Sequence, residues 1–160
     1  MVGFGYDSHK LVPGRKLLLG GVLIESESGA MAHSDGDTLL HALCDALLGA
    51  AGLGDIGELF PDSEIKYKDA DSKIFVKEII GLLKKKSLNI VNIDVTILLE
   101  KPKLNKYKQA IRQSISELCK IPFDRVNIKA KTNEGMGFVG HSEGIAVYCI
   151  CEIQTKGSDL

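Results

Sequence analysis

The 160-residue chain has the length of one ordinary domain. Hydrophobic residues at 44% and charged residues at 26% are the proportions of a chain that buries a core, which sets intrinsic disorder aside. A formal net charge of −1 gives no basic field for nucleic acid or an anionic membrane, so neither is an expected partner.

The first ten residues lack a charged leader followed by an apolar stretch, so they read as a mature terminus and not as a signal peptide. A cytoplasmic chain is expected, or an organellar one whose transit peptide has been removed. Residues 2–7 read as a strand, loosened by Gly3 and Gly5, and residues 16–24 as a second extended stretch broken at Gly20-Gly21. Residues 33–37 form a polar loop in which Ser34 or Asp37 caps the next helix. That helix spans about residues 38–51, rich in Leu and Ala, and Gly52 and Gly54 close it. Its apolar run, interrupted by Asp45, is too short to span a bilayer. Residues 54–69 read as a loop.

A second helix is predicted over residues 71–86, where Phe75, Val76, Ile79, Ile80 and Leu83 form one apolar face. From Val91 to Leu99 apolar and polar residues alternate, the signature of a half-buried strand. A third helix covers about residues 106–119, and strands follow around 126–130 and 145–153. Four or five strands and three helices, without repeats, predict an α/β fold of the α+β sandwich kind. It is a single domain over residues 1–156 with a tail at 157–160, in which a mixed four- to five-stranded sheet carries the three main helices on one face. Cys44, Cys119, Cys149 and Cys151 show neither CxxC spacing nor the density of a disulfide framework. They are expected to be reduced core residues.

Asp7-Ser8-His9 is a D-x-H element, placed at the end of the first strand. The two-residue strand period puts Asp7 and His9 on one face, about 7 Å apart along the chain, where they can converge on one ion. On the first helix Asp37, His41 and Asp45 recur every four residues as a polar stripe on an apolar helix. A histidine there needs partners, and a metal with a supporting carboxylate would supply two. Two imidazoles and one carboxylate suit zinc and leave a fourth position open for substrate. The residues alone leave a second reading open, with His41 a satisfied core histidine and His9 a surface residue.

Gly135, Gly137 and Gly140 match G-x-G-x-x-G, but a dinucleotide fingerprint opens a helix within a βαβ unit, and here a strand follows close to the chain end. The preceding Lys131-Thr132-Asn133-Glu134 sits at a strand end. A hydroxyl beside a carboxylate can hold a phosphate and the hard cation that neutralises it. A plain polar turn fits the same residues.

Several segments taken together resemble the 2-C-methyl-D-erythritol 2,4-cyclodiphosphate synthase family. They are GYDSH (5–9), LLLGGV (17–22), AHSDGDTLLHALCDALLGAAGLGDIGELFPD (32–62), DADS (69–72), NIDVTILLEKPKL (92–104), VNIKAKTNEGMGF (126–138) and SEGIA (142–146). They occur in the family's order and cover nearly the whole chain. The resemblance implies a homotrimer whose sheets face one another, with active sites between subunits. It implies conversion of 4-diphosphocytidyl-2-C-methyl-D-erythritol 2-phosphate to the cyclic diphosphate and CMP. Asp7, His9 and His41 match the family's zinc ligands, one ion per subunit. Glu134 matches the ligand of a second cation, magnesium or manganese, which accompanies substrate, and Thr132 a phosphate contact; with His33 these two are the expected catalytic residues. His33 and Ser34 match positions near the phosphates and the erythritol, Asp55 the ribose hydroxyls, and Asp62 a loop by the methylerythritol pocket. Leu99, Lys103, Leu104 and Asn105 match the segment that receives cytosine. Gly57, Lys131, Phe138 and His141 complete the expected substrate contacts.

One position departs from the pattern. Where the family commonly has arginine lining a central trimer cavity for isoprenoid diphosphates, this chain has His141. A histidine lacks the bidentate fork and is mostly neutral near pH 7, so anion binding in that cavity is expected to be weaker and pH-dependent.

Overall fold

The computed structural model describes residues 1–157 except Asp62. Asp62 and all but the first residue of the expected tail at 157–160 therefore lie outside the described residues. Strand β1 (Val2–Pro13) pairs along most of its length with β7 (Gly144–Thr155) and at its end with β4 (Ser28–Ala30). On its other edge β7 pairs antiparallel with β5 (Leu88–Leu98), which runs parallel to β6 (Val126–Lys131). The five-stranded mixed sheet has the order β4-β1-β7-β5-β6, and β2 (Leu17–Leu19) and β3 (Val22–Ile24) form a separate hairpin across Gly20-Gly21.

Three main helices cover one face: α1 (Thr38–Ala51), α3 (Lys73–Lys85) and α4 (Lys108–Cys119), as the patterning predicts. The core lies between them and the sheet. Ile93, Val95 and Ile97 of β5 point into it, together with Val126 and Ile128 of β6 and Ile145, Val147 and Ile153 of β7. All four cysteines are buried and free, and burial pushes the Cys119 and Cys151 thiols up to about 12. They are inert core residues, as expected. No described helix is long and apolar enough to cross a membrane.

The structure differs from the patterning in four places. Strand β1 continues six residues past Asp7, so the D-x-H element lies inside it and not at its end. The supposed loop at 54–69 holds helix α2 (Ile56–Leu59) and a 3-10 turn at Ile65–Tyr67. Three-residue β4 and the one-turn helix α5 (Gly137–Gly140) are too short to impose a period on the sequence. Gly3 and Gly5 do not loosen β1. A Cβ on Gly5 would stand 1.9 Å from the Ala42 carbonyl oxygen, and one on Gly3 1.9 Å from that of Ala46. Their bare backbone lets α1 lie directly on the strand.

Candidate metal centre

Close contact between β1 and α1 builds the site. Gly3, Gly5, Asp7, His9 and Leu11 share the helix-side face of β1, and Ala42 and Ala46 of α1 rest against the two glycines. One step along this seam, where the strand regains side chains, His41 of α1 meets Asp7. The His41 Nδ1 lies 3.1 Å and the His9 Nδ1 3.0 Å from the same Asp7 oxygen, Oδ2. One ligand atom from each of the three residues falls within 4.8 Å of the other two. The two imidazoles are 5.3 Å apart between centroids. With side-chain exposures of 24% (Asp7), 14% (His9) and 13% (His41), the group is mostly dry yet reachable from solvent.

The electrostatics fit a cation site. Burial pushes the Asp7 carboxyl up, but hydrogen bonds from and charges on His41 and His9 outweigh it and hold the group below its ordinary value. Burial likewise disfavours a charged His41, and the hydrogen bond to Asp7, with the nearby charges of Asp7, Asp37 and Asp35, holds it above its usual value. A carboxylate oxygen and two imidazole nitrogens that favour positive charge between them form a donor set for a divalent metal.

Around this centre the polar stripe of α1 divides by role. Asp37 is fully buried, and its carboxylate accepts from the backbone N–H groups of Gly20 (2.9 Å), Gly21 (2.6 Å) and Leu40 (3.0 Å). It caps α1 and ties down the β2–β3 turn. Burial pushes its carboxyl above the ordinary value despite those three donors. Asp45 accepts from the Ile56 N–H at 2.8 Å and so fixes the start of α2. Neither carboxylate touches His41. Its Nε2 instead meets the hydroxyls of Ser34 (3.1 Å) and Ser72 (3.0 Å).

A cavity of about 210 Å³ opens beside the centre. Asp7, His9, His33, Ser34, His41 and Gly57 line it, joined by Ile56, Phe60, Tyr67 and Phe75. Phe60 and Phe75 stack at 4.7 Å between centroids, with Tyr67 edge-on to Phe60 at 5.5 Å. This aromatic wall was not among the expected contacts. Phe75 reads as core on its helix, and Phe60 and Tyr67 sit in the segment taken for a loop. Asp55 stands nearby as the N-cap of α2, accepting from the Glu58 N–H at 2.9 Å.

The remaining expected contacts lie elsewhere. Ser8, Ala146, Leu98 and Lys131 occupy one row across the sheet, so the end of β6 is three strand spacings, about 14 Å, from the D-x-H element. There the Thr132 hydroxyl donates to a Glu134 carboxylate oxygen at 3.1 Å, and Glu134 takes a left-handed φ of 52°. The Asn133 N–H donates to Glu100 at 3.0 Å, which pins this loop to the end of β5. Leu99 and Leu104 are buried, whereas Lys103 and Asn105 are exposed. Phe138 is exposed in α5, beside Ser8, His9 and Gly144, and exposed His141 caps the same turn. Within one chain, then, the Asp7–His9–His41 group and the Thr132–Glu134 loop do not converge.

A mixed sheet with one helical layer and an Asp-His-His group at their seam defines a small α+β protein with a potential metal site at that seam. The chain belongs to the YgbB family, whose model matches residues 1–154. It is 53% identical over 153 residues to the 2-C-methyl-D-erythritol 2,4-cyclodiphosphate synthase of Methylobacillus flagellatus, covering 96% of each chain. A solved synthase of that name in a CDP-bound form superposes with a TM-score of 0.90 at 38% identity, covering 96% of this chain and all of that one. The bifunctional IspDF of Campylobacter jejuni gives a TM-score of 0.92 at 42% identity; the match covers 96% of this chain but 42% of that longer one.

Proposed function

We propose that the chain cyclises 4-diphosphocytidyl-2-C-methyl-D-erythritol 2-phosphate to 2-C-methyl-D-erythritol 2,4-cyclodiphosphate with release of CMP, in the cytoplasm. The observation that carries this reading is the meeting of Asp7, His9 and His41 at the mouth of a cavity lined by His33 and Ser34, in a member of this family. An oxygen of the 2-phosphate forms a bond to the β-phosphorus while the bond from that phosphorus to the bridging oxygen breaks. CMP departs with the bridging oxygen. The nucleophile is already anionic, so the protein needs no general base.

Its task is to hold a flexible molecule in attack geometry and to balance phosphate charge. Zinc on Asp7, His9 and His41, with magnesium or manganese at Glu134, supplies Lewis-acid neutralisation of that charge. Ser34 presents a hydroxyl and His33 an imidazole to the erythritol end. Asp55 and Gly57 take the ribose side, and Lys131 and Thr132 hold phosphate oxygens. The segment from Leu99 through Lys103, Leu104 and Asn105 receives cytosine, with the two leucines contributing main chain because their side chains are buried.

The separation of about 14 Å between the two halves of this residue set supports a homotrimer in which one subunit's 99–105 and 131–134 segments complete a neighbour's metal centre. At the centre of such a trimer, His141 meets any isoprenoid diphosphate with an imidazole in place of a guanidinium. The test is product analysis. Wild type should release CMP and give a cyclic diphosphate by phosphorus NMR, while His41→Ala stays folded and loses bound zinc and CMP release together. A linear phosphate product, or full activity without zinc, would overturn the reading.

A further inference from the structure

Ser72 occupies the N-cap position of α3, yet its hydroxyl makes no cap bond to that helix. The residue is fully buried. Asp71 caps in its place, its carboxylate accepting from the Lys73 N–H at 2.9 Å. The Ser72 hydroxyl points the other way, towards the metal centre, where it donates to Asp35 Oδ1 and lies 3.0 Å from His41 Nε2. Asp35 is itself fixed, accepting from the backbone N–H groups of Asp37 (3.1 Å) and Ser72 (3.1 Å).

The contacts along this chain fix the hydrogen at one end of the imidazole. An ionised carboxylate only accepts, so the Ser72 hydroxyl hydrogen belongs to Asp35. The Ser72 oxygen must then accept from His41, which places a hydrogen on Nε2. The Ser34 oxygen, 3.1 Å from the same Nε2, can accept from that hydrogen as well. A neutral imidazole with hydrogen on Nε2 has its lone pair on Nδ1, the atom that faces Asp7 Oδ2 at 3.1 Å. In the metal-free chain a second hydrogen on Nδ1 can bridge to that oxygen; a bound metal takes its place, and with Nε2 held protonated Nδ1 is the imidazole lone pair left to coordinate it.

We propose that Ser72 and Asp35 form a positioning relay that locks His41 in the tautomer whose Nδ1 binds the metal. The inference rests on the zinc reading of the centre given above. It gives the histidine a supporting carboxylate thirty-seven residues from Ser72 in sequence, in the manner usual for metal-bound imidazoles. Neither Asp37 nor Asp45 of the α1 stripe has that role.

Three variants test it: Ser72→Ala, Ser72→Thr and Asp35→Asn. The zinc dissociation constant is measured by competition with a chromophoric chelator, the visible spectrum is recorded on the cobalt-substituted protein, and thermal unfolding on the metal-free chain. Ser72→Ala and Asp35→Asn should weaken zinc by about 10–100-fold and change the cobalt spectrum. Ser72→Thr, which keeps the hydroxyl, should restore both towards wild type. The metal-free Ser72→Ala chain should stay folded and unfold only modestly below wild type, since Asp35 keeps the Asp37 N–H and His41 Nε2 keeps Ser34 as partners. If wild type binds zinc tightly and Ser72→Ala matches it in affinity and spectrum, the relay is wrong and the metal centre stands. If wild type itself takes up no zinc, the metal centre and the relay fall together.

Discussion

Asp37 and His41 sit one helical turn apart, and their surroundings give them different tasks. Every oxygen of Asp37 is spent on backbone donors: Oδ1 on Gly20 and Leu40, Oδ2 on Gly21. Asp37→Ala strands those three N–H groups in a buried pocket and removes the cap of α1. It should cost about 3 kcal/mol or more in urea unfolding, while the fraction that stays folded still binds zinc one to one. Loss of zinc with unchanged stability would mean that Asp37 serves the metal after all. The sequence displays the four-residue spacing of Asp37, His41 and Asp45 but not which donors each oxygen meets. Those donors come from Gly20, Gly21 and Ile56, on other elements. The strand and helix periods make it possible for Asp7, His9 and His41 to converge but leave a core His41 and a surface His9 open as well, and it is the family resemblance that singles the three out. Ser72 was not legible, because its partner Asp35 is brought to it only by the packing of α3 against the loop before α1.

At the scale of elements, the seam between β1 and α1 is the determining contact. A side chain on Gly5 would collide with a helix carbonyl, which belongs to rigid backbone and cannot rotate away. Gly5→Ala must therefore lift α1 from the strand or break the helix locally. We expect a loss of about 2–3 kcal/mol in stability and, because His41 rides on the same helix, a parallel fall in zinc content. A variant with wild-type stability and full zinc would show that α1 need not lie so close. The true extent of β1 was hidden for the same reason. On its inward face Gly3, Gly5, Asp7 and His9 precede Leu11, so the apolar alternation that marks β5 is missing where function and close packing have replaced it. The helices α1, α3 and α4 carry full apolar faces, and their bounds were readable to within about two residues.

At the scale of the molecule, the sheet has a covered face and a bare one. The bare face carries Phe4 and Tyr6 on β1 opposite Ile150 and Tyr148 on β7, in register, with the Tyr6 and Tyr148 rings 5.0 Å apart. All four side chains are exposed, between 38% and 60%, where a solvated antiparallel sheet would present polar residues. An apolar surface of this kind on a central strand suits the sheet-to-sheet packing of the proposed trimer. A carboxylate at Tyr148 would be tolerated by a lone subunit, since the position is open to water, but not in a closed apolar interface. Tyr148→Glu, combined with Ile150→Glu if one change is too little, should therefore sediment as a folded monomer that still binds zinc through Asp7, His9 and His41. That monomer should release no CMP, because the Thr132–Glu134 loop and the 99–105 segment of a neighbour no longer reach the metal centre. Sedimentation velocity and CMP release measured on the same preparation decide the matter: a monomer with wild-type activity would place the whole site within one chain, against the separation of about 14 Å across its sheet.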